Sequence, residues 1–351
     1  MVSVPSSILS IGTALPENRV ETADVVVLAE RLWPRLATVA RAAGEGSPTR
    51  YLALSLEEMA KPRTINESQA AYFDHGRRLL TKAIGEALGH ARVKADEIDL
   101  VISTSCTGYL CPSIDAHLAS DLGFRPDVLR LPITELGCSA GTAAIGFAHR
   151  HLLAHPDHKV LVAALELPST VWQFEDRSLD NLIGSCVFGD GAAAAVLGTG
   201  SAGLNVEDAS SYLVPDTARM LGFDLRDGGF HLVLNARLPR ILEQRLAPVV
   251  SAFTEGAGVG ALDFVALHAG GPQIHDAAQA ALGLEPELLD PTRQTYKRVG
   301  NISSVSIFFV LQELTSRLDS EPQEGIGIGL GPGISIELLH LRWCPPKVAA
   351  S

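Results

Sequence analysis

Cys138 stands in a turn whose composition suits a nucleophile. It follows Gly137 and precedes a run of small residues, 139–144, that predicts the beginning of a helix. Free N–H groups and the positive end of the dipole at a helix N-terminus favour a thiolate and lower the thiol pKa. A buried structural cysteine is the alternative interpretation, because free cysteines are commonly buried.

His268 and Asn301 occupy two further glycine-flanked turns. His268 ends an apolar run, 264–267, and precedes Ala-Gly-Gly-Pro, so it either faces a crevice at a strand end or is a hydrogen-bonded loop histidine. Asn301 follows Gly300 and either caps the next helix or offers its amide N–H to a developing oxyanion. With Cys138 they would make a nucleophile, a base or ion-pair partner, and an oxyanion donor.

The segments that must position these residues alternate between strand and helix patterns. Short apolar runs predict strands at 98–103, 159–167, 192–197, 264–268 and 334–342. Amphipathic patterns predict helices at about 66–88, 139–153, 237–253 and 304–318. This alternation predicts an α/β architecture with helices covering both faces of the sheet.

A weak two-part symmetry accompanies the alternation. In each half a strand ends at a special polar residue, Cys138 or Asn301, and a small-residue turn then opens a helix. A break near 200–215 divides the chain into two similar halves. We predict an N-terminal half, 1–205, that carries the cysteine, and a C-terminal half, 206–351, that carries the histidine and the asparagine.

Composition limits the class of protein. The 351 residues are 46% hydrophobic and 19% charged, with a mean hydropathy of +0.19, as in a compact globular protein. No apolar run approaches the roughly 18–20 residues of a membrane helix. The first residues lack the basic region of a signal peptide, so we expect a soluble cytoplasmic protein without stable membrane association. A net charge of −12 argues against nucleic-acid binding.

The cysteines and histidines predict neither a set of disulfide bonds nor a metal site. The five cysteines are odd in number and no pair has CxxC spacing, which indicates free thiols in a reducing compartment. Several histidines cluster on what we interpret as a solvated helix end, and we expect no metal site among them: His149, His151, His155 and His158.

The three turns and several other motifs resemble the thiolase superfamily and, within it, the type III polyketide synthases, the chalcone synthase-like family, in a bacterial form. The resemblance covers essentially the whole chain. Its further motifs are IGTALP at 11–16, TRYL at 49–52, TSCTG at 104–108, PSID at 112–115, FGDGAA at 188–193 and GLGPGISIE at 329–337. It implies a thiolase-like fold of two similar βαβαβ-type halves stacked as α-β-α-β-α layers, in a homodimer.

Three other identities stay open. Ketoacyl-carrier-protein synthase III also uses Cys, His and Asn, but it typically follows its histidine with Gln-Ala-Asn, where His268 is followed by Ala-Gly-Gly-Pro. Such an enzyme would perform a single condensation in fatty-acid initiation. Hydroxymethylglutaryl-CoA synthase fits less well, because no matching catalytic glutamate segment stands ahead of Cys138. A degenerate, non-catalytic family member is the third alternative.

The resemblance implies roles for the site residues. Cys138 would hold the starter acyl group and the growing chain as a thioester. His268 would pair with the thiolate and, with Asn301, stabilise the enolate formed when malonyl-CoA loses CO₂. Phe188 and Phe230 match two aromatic gatekeepers between a CoA tunnel and the cavity, with plain core packing as the alternative for both.

The remaining implied residues line the substrate path. Cys106 and Thr107 match the cyclisation pocket, and Cys111 matches a side chain that crosses a dimer interface into the partner's cavity. The starter pocket would be bordered by Val171, Leu221 and Ser303, and the CoA phosphates would meet Arg35, Arg41 and Arg50. Malonyl-CoA and an acyl-CoA are the implied substrates, with no cofactor, no metal and no acyl carrier protein. The starter would be a medium or long acyl group or malonyl itself, and the product a pyrone, a resorcinol or a hydroxynaphthalene.

Overall fold

The computed structural model describes residues 5–44, 46–173 and 175–345. In this part of the chain the strands are β1 Ser6–Ala14, β2 Arg19–Glu21, β3 Thr49–Tyr51, β4 Leu100–Thr104, β5 Leu129–Ile133, β6 Val160–Glu166, β7 Gly191–Thr199, β8 Gly203–Leu213, β9 Leu221–Arg226, β10 Gly229–Leu234, β11 Phe264–Leu267, β12 Gln323–Gly331 and β13 Ser335–Cys344.

The helices are α1 Thr22–Leu32, α2 Ala37–Gly44, α3 Leu56–Met59, α4 Ile65–Ala91, α5 Ile114–Leu122, α6 Ala140–Ala154, α7 Pro168–Val171, α8 Leu179–Val187, α9 Leu238–Ala257, α10 Pro272–Leu282, α11 Asp290–Val299 and α12 Ser306–Thr315. Short 3₁₀ turns occupy Pro34–Leu36, Ala95–Glu97, Gly137–Ser139, Pro286–Leu289, Ser303–Val305 and Pro332–Ile334. Each strand and helix predicted above is present, with ends displaced by a few residues. No helix among the described residues is both long enough and apolar enough to cross a membrane.

Within the described ranges, the central sheet has nine strands in the order β11-β12-β13-β8-β1-β7-β6-β4-β5. Outward from β1 the neighbouring strands in the sheet are β7, β6 and β4, and outward from β8 they are β13, β12 and β11. Both series have antiparallel, antiparallel and parallel pairings in that order. The two halves meet where β1 pairs with β8, Ser6 opposite Val206. The predicted α/β fold with two similar halves is confirmed.

The expected break near 200–215 is occupied by β8, because this segment pairs with both β1 and β13. The exposed, glycine-containing stretch at 200–203 is the turn that leads into it. The boundary at 205/206 falls inside β8, and the division of the chain there stays a prediction.

Alternating side chains give the sheet two covered faces. In β6, one set of residues enters the core beneath α4, and the other enters a core shared with α6 and α12: Leu161, Ala163 and Leu165 for the first, Val160, Val162 and Ala164 for the second. In β11, Phe264 and Ala266 enter that shared core, whereas Val265 and Leu267 pack beneath α9 and α10. The helices α6 and α12 are therefore a central layer between the two half-sheets, which produces the α-β-α-β-α stack.

The central layer brings the Cys138 turn and the Asn301 turn together. Gly141, in the first turn of α6, lies so close to the 303–305 turn that a Cβ atom there would stand 2.1 Å from the Ser304 carbonyl oxygen. Only glycine permits this approach of two backbones. Residues 163 positions apart in sequence thus lie side by side at the entrance to the two central helices.

Candidate active site

Cys138 lies in the 3₁₀ turn Gly137–Ser139, directly before α6. The 331–333 loop packs against this turn, because a Cβ on Gly331 would stand 2.4 Å from Ser139 Oγ. The Ser139 hydroxyl donates to the Leu136 carbonyl at 2.9 Å and lies 2.9 Å from Ser335 Oγ. The helix N-terminus expected for Cys138 is therefore present and tightly held.

Burial acts against the thiolate expected at Cys138. It raises the pKa of Cys138 to about 12, the nearby Ser303 hydroxyl opposes the rise, and the Glu166 carboxylate adds to it. The free-energy cost of desolvating a thiolate at this position exceeds the stabilisation that the helix N-terminus gives it. Burial therefore opposes the fall in pKa that a helix N-terminus favours, although the Cys138 side chain is partly open to a cavity.

His268 is buried at the end of β11, where its N–H donates to the Ile328 carbonyl at 2.8 Å. Its Nδ1 atom finds no hydrogen-bond partner among the described residues. Burial lowers the pKa of His268 to about 4. Burial therefore favours the neutral imidazole, and its pairing with Cys138 stays a prediction.

Asn301 divides its amide between two tasks. Its Oδ1 atom accepts from the Ser303 N–H at 2.8 Å, which caps the 303–305 turn. Its Nδ2 group donates to the Gly270 carbonyl, two residues beyond His268, at 3.4 Å. The oxygen therefore satisfies one free N–H of the turn, although Ile302 and not Asn301 occupies its N-cap position. The long Nδ2 contact leaves the N–H groups available, and their oxyanion role stays a prediction.

Asn301 is also joined to the predicted gatekeeper Phe188 by a parallel bridge. The Asn301 N–H donates to the Val187 carbonyl at 3.1 Å, and the Gly189 N–H donates to the Asn301 carbonyl at 2.9 Å. The gatekeeper and the candidate oxyanion donor are therefore parts of one backbone unit.

An inner cavity opens beside Cys138. It holds about 400 Å³ of empty space, its open mouth included, and its exposed lining is apolar. Five residues predicted for the substrate path border it with the nucleophile: Cys106, Thr107, Phe188, Leu221 and Ser303. It is completed by Gly137, Pro168, Gly222, Phe223, Leu232 and Pro332.

An outer cavity of about 480 Å³ adjoins the inner one. Val171 and Phe230 border this outer cavity and not the inner one, and the place of Val171 in a starter pocket stays a prediction. Four residues border both cavities and form the boundary between them: Pro168, Phe188, Phe223 and Leu232.

Phe223 belongs to this boundary and was missed by the sequence analysis. Its ring meets that of Phe230 edge-on, with centroids 6.0 Å apart, across the β9–β10 hairpin. Phe223 is two residues from Leu221 on β9, so the period of a strand puts both side chains on one face. The two-residue spacing from Leu221 could therefore have identified Phe223 from the sequence.

Glu166 is a second residue that the sequence analysis missed. Its buried carboxylate accepts from the Thr107 hydroxyl at 2.8 Å, the Ser304 hydroxyl at 2.6 Å and the Ser303 hydroxyl at 3.2 Å, and also from Cys106. Burial raises its pKa, and these hydrogen bonds oppose the rise. An acidic residue within the apolar run 159–167 was the available signal. Glu166 fixes the orientation of the polar groups on one side of the inner cavity.

The predicted CoA-binding residues separate into two groups. Arg35 and Arg41 are exposed, and Arg41 pairs with Glu30 at 2.6 Å. Arg50 is completely buried and donates to the Thr22 hydroxyl at 2.9 Å and the Phe188 carbonyl at 3.1 Å. The prediction for Arg50 is wrong, because a guanidinium enclosed by these partners cannot reach a phosphate at a tunnel mouth.

Two further predictions concern residues away from the cavities. Cys111 is exposed and borders neither cavity within one chain, so its role across a dimer stays a prediction. His149 is not a solvated surface residue, because it is buried against the Ser6 hydroxyl. His151, His155 and His158 do stack on one another near the surface, and no cluster among the described residues could hold a metal ion.

Known families match both halves of the chain. Residues 205–345 match the family model of chalcone and stilbene synthases, C-terminal domain, and residues 41–219 match that of FAE1/type III polyketide synthase-like proteins. A 1,3,6,8-tetrahydroxynaphthalene synthase of Streptomyces griseus is 36% identical over 87% of this chain and 83% of its own length. A phloroglucinol synthase of Pseudomonas fluorescens is 30% identical, over 93% of this chain and 96% of its own.

A solved structure agrees with these matches. The 1,3,6,8-tetrahydroxynaphthalene synthase of Streptomyces coelicolor, a bacterial type III polyketide synthase, superimposes with a TM-score of 0.92 at 31% identity. The match covers 97% of this chain and all of that one.

Proposed function

Since this chain belongs to the type III polyketide synthase family, we propose that it extends an acyl-CoA starter with malonyl-CoA through repeated decarboxylative condensations and then cyclises the product. The observation that carries this proposal is the site itself. Cys138 opens onto the apolar inner cavity at a helix N-terminus, and the turns of His268 and Asn301 are joined by a hydrogen bond.

The reaction begins with transfer of the starter to the enzyme. Cys138 Sγ attacks the thioester carbonyl carbon while its proton passes to His268. The bond from that carbon to the CoA sulfur then breaks, and the proton leaves on the CoA thiol. Both groups begin and end this step neutral, in keeping with the raised pKa of Cys138 and the lowered pKa of His268.

Chain extension uses the energy of decarboxylation. When malonyl-CoA loses CO₂, the electron pair of the broken C–C bond becomes an enolate, whose oxygen accepts hydrogen bonds from neutral His268 and from Asn301 Nδ2. The enolate carbon attacks the Cys138 thioester, a C–C bond forms, and the thiolate leaves. Hydrogen-bond donors fixed in an apolar site stabilise such an oxyanion more than water does.

Malonyl-CoA also serves as the starter, and the product is of the hydroxynaphthalene type. The names and 36% identity of the Streptomyces relatives support this choice. A second candidate is an acyl-primed pyrone or resorcinol synthase. The observation that favours it is the outer cavity, whose largely apolar walls include Leu52, Met59 and Trp172 and suit an alkyl chain.

The enzyme is a cytoplasmic homodimer that uses free CoA thioesters and needs no acyl carrier protein, metal or cofactor. Two features support the dimer: Cys111 is exposed, and the edge strand β5 presents Leu129 and Leu131, which are 53% and 40% exposed. Arg35 and Arg41 remain the candidates for meeting the CoA phosphates. Light scattering is the direct test, since a mass of one chain contradicts the dimer.

The function is tested with purified enzyme, labelled malonyl-CoA and a panel of acyl-CoA starters, with products identified by mass spectrometry. A tetrahydroxynaphthalene from malonyl-CoA alone supports the first candidate, whereas pyrones or resorcinols that carry the starter chain support the second. Products must be missing with Cys138→Ala. A single condensation that requires an acyl carrier protein would instead indicate an enzyme of fatty-acid initiation. No product with any substrate would favour a non-catalytic role.

A further inference from the structure

The peptide group between Gly270 and Gly271 is held from both ends. Its carbonyl oxygen, on Gly270, accepts from Asn301 Nδ2 at 3.4 Å. Its N–H, on Gly271, donates to His275 Nε2 at 3.3 Å. This single peptide therefore links His275, a residue with no part in the chemistry above, to the candidate oxyanion donor, only two residues beyond His268.

His275 closes the turn through two hydrogen bonds with Gly271, one from its backbone and one to its ring. Its own N–H donates to the Gly271 carbonyl at 3.0 Å, while its ring accepts the Gly271 N–H. Gly271 has φ +124° and is buried, so no other residue type suits this position and no water reaches its N–H easily. Without the ring nitrogen, this N–H would be a buried donor without a partner.

The surroundings of His275 keep its ring neutral and fixed. The ring is buried and meets the Tyr296 ring edge-on, with an interplanar angle of 87° and centroids 5.6 Å apart. Burial, together with smaller effects of His268 and Arg293, lowers the pKa of His275 to about 3. Because Nε2 is the acceptor, the proton of the neutral ring is on Nδ1.

Tyr296 connects the same cluster to Asn301 by a second route. The Tyr296 carbonyl accepts from the Gly300 N–H at 2.9 Å, directly before Asn301. The ring of Tyr296 thus packs on His275 while its backbone ends the helix that delivers Asn301. Displacement of the His275 ring would disturb both the 270–271 peptide and the approach to Asn301.

We infer that His275 is a positioning residue for the condensing reaction: by accepting the Gly271 N–H it orients the 270–271 peptide and so sets the separation of His268 from the Asn301 amide. This inference rests on the proposed function, in which those two groups share one enolate oxygen. His275 touches no substrate and exchanges no proton.

Two substitutions separate the hydrogen bond from the volume of the ring. His275→Leu keeps a buried side chain of similar size but removes the acceptor, whereas His275→Gln keeps an acceptor near the place of Nε2. His149→Leu is the matched control, because it also removes a buried, hydrogen-bonded histidine, at the far end of α6.

The first readout is the decarboxylation of malonyl-CoA, with kcat and KM measured separately. His275→Leu lowers kcat on the order of 10–100-fold with little change in KM, because misplacement of one donor weakens transition-state binding. His275→Gln recovers most of this loss. His275→Leu and His149→Leu both lower the melting temperature, but His149→Leu retains the kcat of the original enzyme.

The outcomes separate this inference from the proposed function. If the unmodified enzyme decarboxylates malonyl-CoA and His275→Leu does so at the same kcat, the positioning role is wrong and the proposed function stands. Equal losses of kcat in His275→Leu, His275→Gln and His149→Leu would also overturn the role, since loss of stability would then account for the effect. An unmodified enzyme without decarboxylase activity would overturn both.

Discussion

The junction of a turn with a central helix occurs twice in this doubled fold, once at Cys138 and once at Asn301, and the two junctions differ in how their polar side chain is held. The Cys138 side chain is partly exposed and borders the inner cavity. The Asn301 side-chain amide accepts from the Ser303 N–H and donates to the Gly270 carbonyl, and the Asn301 backbone is bridged to Phe188. A nucleophile that forms and breaks bonds needs freedom at its reacting atom, whereas an oxyanion donor must be held before charge develops.

The largest effect is expected at the first junction. Cys138→Ala removes the atom that carries the acyl chain, so product formation falls on the order of 10⁴-fold or more. The measurement is product formation from labelled malonyl-CoA. Cys344→Ala is the control, because Cys344 is also a partly exposed free thiol but borders neither cavity. If the Cys138→Ala variant kept its turnover, Cys138 would not be the nucleophile, and the proposed difference in function between the two junctions would be wrong.

At the second junction, the acceptor role of the Asn301 side-chain oxygen and the donor role of its amide N–H groups can be tested separately. Asn301→Ser keeps an oxygen that caps the 303–305 turn, while Asn301→Ala keeps neither function. Both variants lose on the order of 10²–10³-fold in kcat, because both lack the amide donor. The free energy of unfolding, measured by urea denaturation, is about 1 kcal/mol higher for the serine variant than for the alanine variant, because serine keeps an oxygen that can accept the Ser303 N–H. If activity follows stability across the pair, Asn301 is only a cap.

The contact between the junctions can be tested through Gly141. Gly141→Ala places a methyl group against the Ser304 carbonyl and forces the two central helices apart, which costs about 1–3 kcal/mol of unfolding free energy. Urea denaturation measures this loss. Gly85→Ala is the control: nothing lies within 4 Å of its Cβ position in α4, and it stabilises the protein by up to about 1 kcal/mol. A neutral Gly141→Ala would show that the junctions do not depend on backbone contact.

The smallest effect is a dependence of stability on pH. The pKa of His268 is about 4 in the folded chain against an ordinary value of 6.5, so the unfolded chain takes up the proton first. The contribution of neutral His268 is full above pH 6.5 and falls as the pH drops toward 4. Urea unfolding at about pH 7 and about pH 5 measures this slope, which becomes shallower in His268→Gln. An unchanged slope in that variant would assign the dependence to other groups.

Local patterns in the sequence were sufficient for the elements of the fold and for the three turns. Apolar runs predicted β4, β6, β7, β11 and β13, because a strand buried on both faces needs apolar residues at successive positions. The turn at Cys138 could be predicted because its small residues are required where two helices approach. Each of these signals is local, and folding did not alter it. The segment 200–215 is the exception, since its pairing partners β1 and β13 lie far away in sequence.

Burial, and the charge states that follow from it, were decided only by the tertiary structure. Arg50 and His275 belong to residue types that are usually exposed, but packing encloses both. The pKa of Cys138 rises where the helix N-terminus alone predicts a fall, because the cost of desolvation depends on everything that surrounds the sulfur. Residue type and spacing determine which groups are available, whereas distance from water depends on contacts between segments that are remote in the chain.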